Sequence, residues 1–156
     1  MSSNERQFCT FTLGDGFFGV EVEKVQEVLR YQDMTSVPLA PSEVTGLINL
    51  RGQIVTAVEL RRRLSLPERP ADQRPMNIVA RLDDGAVSLL VDQIGDVLLV
   101  DPDTFEAPPE TIDATTRALL TGVCKLEDRL LLVLDVDKVL EVDTSTDESR
   151  EPAFAG

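Results

Sequence analysis

Hydrophobic and polar residues alternate along much of this chain, and turn residues interrupt the alternation at short intervals. Alternation of this kind indicates β-strands that bury one face and expose the other. Gly14-Asp15-Gly16, Gly52 and Asp83-Asp84-Gly85 are turn signals that join neighbouring strands as hairpins. The predicted strands cover residues 8–13, 17–22, 34–39, 44–51, 53–58, 77–82, 86–91, 94–100, 121–126 and 130–134.

A few segments have helical spacing or no period at all. Residues 23–31 carry one apolar stripe and predict a short amphipathic helix. Two more short helices are predicted at residues 59–64 and directly after Asp135, which is a good N-cap residue. Prolines and charges predict loops at residues 65–75 and 102–117. Many short strands with few short helices favour small β-barrels or sandwiches.

Part of this pattern occurs twice. Residues 45–64 match residues 121–140 without a gap at an offset of 76. An earlier pair of segments, 20–28 and 89–97, matches at an offset of 69. Two matches in the same order indicate a duplicated fold with two related halves. The seam between such halves is a common place for ligands and partners to bind.

The charged positions of the two copies differ. Arg51 corresponds to Glu127, and Arg61 corresponds to Asp137, so the copies share an apolar pattern but carry opposite charges there. Residues 44–81 contain seven arginines against three acidic residues. This excess indicates either a site for an acidic partner or a solvated basic face.

Composition narrows the class of protein. The 156 residues suffice for one domain or two small ones sharing a core, and 4% aromatic residues predict an aliphatic core. The net charge of −13 counts against nucleic acid or an anionic membrane as a partner. No apolar stretch reaches the 18 residues of a membrane span. Cys9 and Cys124 lie in apolar strands and are predicted to be buried thiols in a reducing compartment.

Two other classes of protein remain as alternatives. The chain has no histidine, which removes the commonest general base and most zinc sites. A carboxylate enzyme would depend on Asp83/Asp84 or Asp101/Asp103, but Asp is common in turns for local hydrogen bonding. A nucleic-acid module is conceivable because small barrels often bind oligonucleotides, yet the charge and the few aromatic residues count against it.

The most specific segment is Gly46-Leu47-Ile48-Asn49-Leu50-Arg51-Gly52. Alternation predicts Ile48 and Leu50 on a core face and Asn49 and Arg51 on the other face. Arg51 is the candidate for recognition, because its planar fork suits a carboxylate. An ordinary hairpin with polar outer residues is the alternative.

With this segment the chain resembles the CheW family, the coupling proteins of bacterial chemotaxis. Further matching residues are Phe11-Thr12-Leu13-Gly14, Gly19-Val20, Val25-Gln26-Glu27-Val28, Val91-Asp92, Asp96-Val97-Leu98 and Leu120-Thr121-Gly122. The resemblance runs over residues 8–142 and implies a mainly β fold of two intertwined five-stranded SH3-like β-barrels with short helices. A third apolar core is expected between them. Residues 15–82 are the expected first barrel, and residues 83–142 with the N-terminal strand the second. Residues 143–156 form an acidic tail that is predicted to be disordered.

The resemblance also implies a function. Proteins of this family are non-enzymatic adaptors that tie the histidine kinase CheA to the cytoplasmic tips of chemoreceptors, with no cofactor or metal. The expected partners are the regulatory domain of CheA, methyl-accepting chemoreceptor tips and further CheW copies in array rings, without nucleic acid or membrane insertion. The expected location is the cytoplasm, with recruitment to membrane-associated arrays. A coupler for a non-flagellar array, serving surface motility or another regulatory pathway, is the alternative.

Receptor binding is expected at the seam, where a receptor helix would lay apolar anchors into a groove with a polar rim. The matching motif positions make Glu27, Arg51, Ile94 and Val97 the candidates. Val97 has core packing as its alternative, and Glu27 has pairing with Arg30 on its own helix.

Kinase binding is expected at a barrel edge, because an exposed edge has a natural partner in a similar barrel. Val44, Thr45 and Gly46 are the candidates. Gly46, Gly52 and Gly122 are also expected to be structural, at turns or close approaches of the backbone.

Overall fold

The computed structural model describes residues 6–40, 44–83 and 85–139. The predicted acidic tail and Leu140 therefore lie outside the described residues. The strands are β1 (Arg6–Leu13), β2 (Gly16–Glu21), β3 (Val25–Leu29), β4 (Val44–Leu50), β5 (Gln53–Glu59), β6 (Met76–Leu82), β7 (Gly85–Val91), β8 (Gln93–Val100), β9 (Phe105–Glu106), β10 (Leu120–Lys125) and β11 (Leu130–Leu134). The helices are α1 (Leu60–Arg63), α2 (Ala114–Arg117), the 3-10 turns Val22–Lys24 and Pro102–Thr104, and a helical segment at residues 136–139.

These strands form two sheets, which confirms the mainly β prediction. The six-stranded sheet has the order β8-β1-β2-β11-β10-β9, and the five-stranded sheet has the order β3-β6-β7-β5-β4. Neighbouring strands are antiparallel except for two parallel pairs, β5 with β7 and β11 with β2. The turn residues that interrupt the alternation of the sequence lie between antiparallel neighbours, as hairpin turns require.

Each sheet combines strands from both copies of the repeat. The β1–β2 hairpin of the first copy lies among strands of the second copy, and the β6–β7 hairpin of the second copy lies beside β3, β5 and β4. This division differs from the predicted boundaries of 15–82 and 83–142, because β2 belongs to the six-stranded sheet and β7 to the five-stranded one. The exchanged hairpins gain parallel partners in the other copy, so the two halves are intertwined.

The strand register shows that the copies are equivalent in space. Gly46 pairs with Ala57 between β4 and β5, and Gly122 pairs with Val133 between β10 and β11, each beside a register shift at the same place. The pairing of β3 with β6 recurs in the pairing of β8 with β1. The duplication therefore extends to β1 and β6, beyond the segments that match in sequence.

Three apolar clusters hold the fold together. One lies on the five-stranded sheet and includes Ile48 and Leu50, as the alternation predicted. A second lies on the six-stranded sheet around Phe8. The third, here called the central core, takes buried side chains from both sheets and both copies, including Phe11 and Leu89. Burying each large aliphatic side chain contributes about 1.5–3 kcal/mol. The expected third core between the two sheets is confirmed.

The predicted helix at residues 23–31 is wrong. A 3-10 turn is followed by the strand β3, in which Val25, Glu27 and Leu29 share a half-buried face and Val28 is exposed. The apolar spacing of this short segment fits both periods. Pairing with β6 satisfies its backbone, and its β-branched valines favour a strand, so the tertiary context decides the outcome.

A short segment lies along the outer side of each of the two hairpins that contain Gly46 and Gly122. The predicted strand at 34–39 forms only an isolated bridge, from Thr35 to Leu47, and the predicted loop at 102–117 contributes β9, which pairs with β10. A Cβ atom at Gly46 would lie 2.6 Å from the Thr35 carbonyl oxygen, and one at Gly122 would lie 2.8 Å from the Glu106 carbonyl oxygen. Both positions therefore need glycine for the close approach of another backbone.

Candidate functional site

Arg51 and Glu27 form an ion pair between the two edges of the five-stranded sheet. Arg51 Nη1 donates to Glu27 Oε2 at 3.0 Å, and Nη2 donates to Oε1 at 2.8 Å. Two parallel bonds of this kind fix the guanidinium in one orientation. Glu27 lies on β3 and Arg51 follows β4, and these are the terminal strands of the sheet order. The pair therefore ties together edges that no strand pairing joins.

The turn between β4 and β5 gives Arg51 its position. Arg51 has φ +53° and Gly52 has φ +91°, a combination typical of a type I′ hairpin turn. The Asn49 side-chain oxygen accepts a hydrogen bond from the Gly52 amide at 2.9 Å. Hydrogen bonding to Glu27, followed by its charge, raises the pKa of Arg51. The alternative partner of Glu27, Arg30 on a shared helix, is excluded because that helix is a strand.

Ile94 and Val97 lie on β8, the edge of the other sheet. Ile94 is half-buried and packs against the central core, as Val25 of β3 does. Val97 is 52% exposed, and its neighbour on the same face, Leu99, is 60% exposed. Core packing therefore does not account for Val97. The structure pairs Glu27 with Arg51, and it places Ile94 and Val97 on a second edge strand that borders the same central core.

The kinase-binding candidates lie at the start of β4. Val44 and Thr45 are half-buried, whereas Gly46 is buried. The amide and carbonyl of Leu47 are bonded to Thr35, at 2.8 and 2.9 Å. The edge that was expected to be exposed is thus covered by Thr35 at Gly46 and Leu47, whereas Val44 and Thr45 are half-buried.

A buried charge cluster lies where the chain passes between the sheets. Asp92 links β7 to β8, and its carboxylate accepts Arg61 Nε at 2.9 Å and Nη2 at 2.5 Å, Arg69 Nε at 2.9 Å and the Gly14 amide at 2.7 Å. Arg69 also donates to Glu59 at 2.6 and 3.1 Å. These four charged side chains, here called the Asp92 cluster, are between 6% and 12% exposed.

Donor groups determine the charge state of the Asp92 cluster. Burial alone would raise the pKa of Asp92, but hydrogen bonds from Arg61, Gly14 and Arg69 outweigh it and hold that pKa below its usual value. The bond to Asp92 raises the pKa of Arg61. Both groups therefore stay charged, with their charges compensated inside the protein.

Sequence reasoning missed this cluster, although Val91-Asp92 belongs to the matched motifs. Arg61 and Asp92 are 31 residues apart, and no local spacing connects them. The cluster also bears on the arginine-rich segment 44–81, for which the alternatives were a site for an acidic partner and a solvated basic face. Arg61 and Arg69 of that segment are buried against carboxylates and Arg51 is paired with Glu27, so the segment is not a continuous solvated basic face.

Comparison with known proteins assigns the chain to a protein family. The family model described as the CheW-like domain matches residues 7–144. The chain belongs to the CheW family. Chemotaxis protein CheW of Bacillus subtilis is 31% identical over 139 residues, which cover 89% of each chain. That of Rhizobium meliloti is 30% identical over 153 residues, 98% of this chain and 96% of the relative.

A solved member of the CheW family has the same fold. The crystal structure of the scaffolding protein TtCheW from Thermoanaerobacter tengcongensis aligns with a TM-score of 0.75 and 26% identity, over 84% of this chain and 89% of that chain. The two intertwined sheets described above are thus the SH3-like β-barrels of the CheW family. The five-stranded sheet is called the first barrel below, and the six-stranded sheet the second barrel.

The cysteines and the Asp101/Asp103 pair of this CheW-family chain occupy structural positions. Cys9 and Cys124 are free and buried, as predicted, and burial raises the pKa of both thiols. The Asp101 carboxylate accepts the Asp103 amide at 2.9 Å and caps a 3-10 turn. Among the described residues, no group of three or more potential ligands is placed to hold a metal ion. Every helix within 6–40, 44–83 and 85–139 is too short or too polar to cross a membrane.

Proposed function

We propose that this chain is a non-enzymatic adaptor that couples the histidine kinase CheA to the cytoplasmic tips of chemoreceptors. It acts in the cytoplasm and is recruited to membrane-associated receptor arrays. The observation that carries the proposal is the Glu27–Arg51 pair, in a fold whose relatives are chemotaxis proteins. This pair holds a largely exposed guanidinium beside an edge strand that borders the seam between the barrels.

The receptor surface is made of β3 and β8. A receptor helix binds by burying apolar anchors against apolar side chains while polar groups form the rim. Val28 on β3 is 40% exposed, and Val97 on β8 is 52% exposed. Arg51, whose side chain is 78% exposed, supplies the polar rim, and Glu27 fixes its direction. Ile94 supports β8 from the central core.

The kinase surface is the start of β4, with Val44, Thr45 and the buried Gly46. The family resemblance implies that the regulatory domain of CheA has the same fold, so a contact between barrels would join surfaces of similar shape. The same reasoning extends to further copies of this chain in array rings. The alternative, an array that steers surface motility or another pathway, has no specific observation in its favour, because the similar relatives are named chemotaxis proteins.

Reversing the charge of Arg51 tests the receptor surface. Arg51→Glu places a carboxylate against Glu27, so we expect an affinity for a receptor signalling fragment about tenfold or more lower, with receptor-dependent CheA activation reduced accordingly. Arg81→Glu is the matched control, since Arg81 is exposed on β6 of the same barrel. Calorimetric titration and kinase assays in reconstituted arrays measure both effects. Equal activation by Arg51→Glu and the parent protein contradicts the proposed role.

A further inference from the structure

The chain passes between the two barrels in both copies of the repeat. In the first copy it passes from β2 to β3 through the turn Val22–Lys24, and in the second it passes from β7 to β8 through Asp92. These two connections, here called crossovers, are equivalent at the offset of 69, so that Glu23 corresponds to Asp92. The strands that follow them, β3 and β8, are the edge strands that border the central core.

At the second crossover, one carboxylate holds both barrels. The amide of Gly14 belongs to the β1–β2 turn of the second barrel, and it donates to Asp92 at 2.7 Å. Arg61 and Arg69 follow β5 of the first barrel and donate to the same carboxylate. The Asp92 amide donates to the Thr12 carbonyl at 3.0 Å. The backbone and the side chain of this residue are therefore both fixed immediately before β8 begins.

The first crossover has no such restraint among the described residues. Glu23 is exposed. Lys24 approaches Asp137, the residue equivalent to Arg61, at an Nζ–Oδ2 distance of 3.8 Å, with side chains 44% and 72% exposed. A cavity of about 220 Å³ lies beside them, lined in part by Asp135. An exposed pair at this distance restrains the backbone weakly.

We propose that Asp92 is a positioning residue that sets where β8 lies relative to β3. The central core and the bond from Arg63 Nε to the Val139 carbonyl oxygen at 3.0 Å also join the two barrels, and the Asp92 cluster is the contact that anchors the start of β8 to both of them. Without the carboxylate, Arg61, Arg69 and the Gly14 amide lose their common acceptor, and the start of β8 shifts against the central core. The spacing of the two edge strands then varies between molecules.

A distance measurement tests this directly. Cysteines introduced at Val28 and Val97, which are equivalent exposed positions on β3 and β8, carry spin labels. The buried Cys9 and Cys124, whose thiol pKa values are raised, react slowly, and protein without the added cysteines gives the background. In the Asp92→Asn variant we expect the distribution of label distances to widen by about twofold or its mean to shift.

Two further variants keep the test decisive. Asp137→Asn alters the first crossover and is expected to leave the distance distribution unchanged. Arg69→Gln removes one donor but keeps both bonds from Arg61, so it should fold and widen the distribution less than Asp92→Asn. If Asp92→Asn does not fold, Arg69→Gln decides. A parental distribution in the folded variants, despite lower thermal stability, overturns the proposal, and so does equal widening by Asp137→Asn.

The measurement needs no partner protein. Its outcome depends on the fold alone, so failure of the proposed receptor coupling leaves it unaffected. Conversely, unchanged distances would leave the Arg51→Glu experiment valid. If the proposed receptor coupling and the proposed role of Asp92 both hold, the Asp92 cluster maintains the distance between β3 and β8, the two strands of the receptor surface.

Discussion

The two copies of the repeat have the same backbone plan but different charges at equivalent places. In each copy an acidic residue caps the short helix: Glu59, the last residue of β5, accepts the Arg61 amide, and Asp135, directly after β11, accepts the Lys138 amide, both at 3.2 Å. Two residues after the cap the copies diverge. Arg61 is buried against Asp92, whereas Asp137 is exposed near Lys24.

The same divergence occurs at the turns of the edge hairpins. In the first barrel Arg51 reaches back to Glu27. In the second barrel the equivalent of Arg51 is Glu127, and the equivalent of Glu27 is Asp96, so like charges replace the pair. A cavity of about 270 Å³ lies there, lined in part by Asp96 and Arg129. Arg129 stacks over Phe17, 3.7 Å from the ring centroid.

These differences show which constraints the two copies share. Core positions stay alike because each copy packs its apolar faces into the same clusters, and a change of volume there is costly. Charged positions outside the cores are free to diverge. One copy supplies the ion pair that joins the barrel edges and the arginine that binds the crossover, whereas the other leaves an open cavity and a weak pair. The molecule therefore presents two unlike surfaces on one duplicated frame, which suits an adaptor with different partners.

The largest expected effect separates the two crossovers. Asp92→Asn leaves the buried Arg61 guanidinium with a neutral partner and leaves Arg69 with Glu59 alone, so we expect a loss of roughly 3 kcal/mol in the free energy of unfolding. Asp137→Asn removes an exposed, long pair and should change that free energy by less than about 0.5 kcal/mol. Urea unfolding at neutral pH measures both. Similar losses in the two variants would mean that the crossovers do not differ in strength.

Acid should weaken the same contact. The pKa of Asp92 is lower in the folded protein than in the unfolded chain, so its contribution to stability is complete above its unfolded pKa of about 3.9. That contribution is lost as pH falls through the folded pKa. The difference in unfolding free energy between the parent and Asp92→Asn should therefore be constant near neutral pH and shrink below about pH 4. A difference that grows in acid contradicts this assignment of sign.

The smallest effect concerns the hairpin turns. Glu127→Arg places a guanidinium between Leu126 and Asp128, which line the same cavity as Asp96, and so puts a positive charge where the first barrel has Arg51. We expect the melting temperature to rise by about 1–2 °C relative to Glu127→Gln, which removes the charge without supplying a fork. Scanning calorimetry of both variants measures the difference. Equal melting temperatures would show that the second turn does not direct a side chain toward Asp96.

The sequence predicted most elements correctly because their signals are local. Alternation and turn residues placed the hairpins, Leu60 and Leu64 are buried beside α1, and Asp135 caps the last helical segment. The helix predicted at 23–31 failed because a short valine-containing segment satisfies both periods. Of the candidate site, the sequence pointed to Glu27 and Arg51 but not to their mutual bond, since the predicted helix offered Arg30 as a nearer partner.

The sequence by itself determined the strands, the turns, the duplication and the family, because each is encoded by neighbouring residues or by similarity between segments. Only the tertiary structure decided which hairpins the copies exchange, β1–β2 for β6–β7, since apolar faces are compatible with either copy as partner. It also decided the role of Asp92, whose bonded groups at Arg61 and Gly14 lie 31 and 78 residues away. Groups so distant in sequence come together only when both barrels are folded, and their spacing in the sequence does not predict the contact.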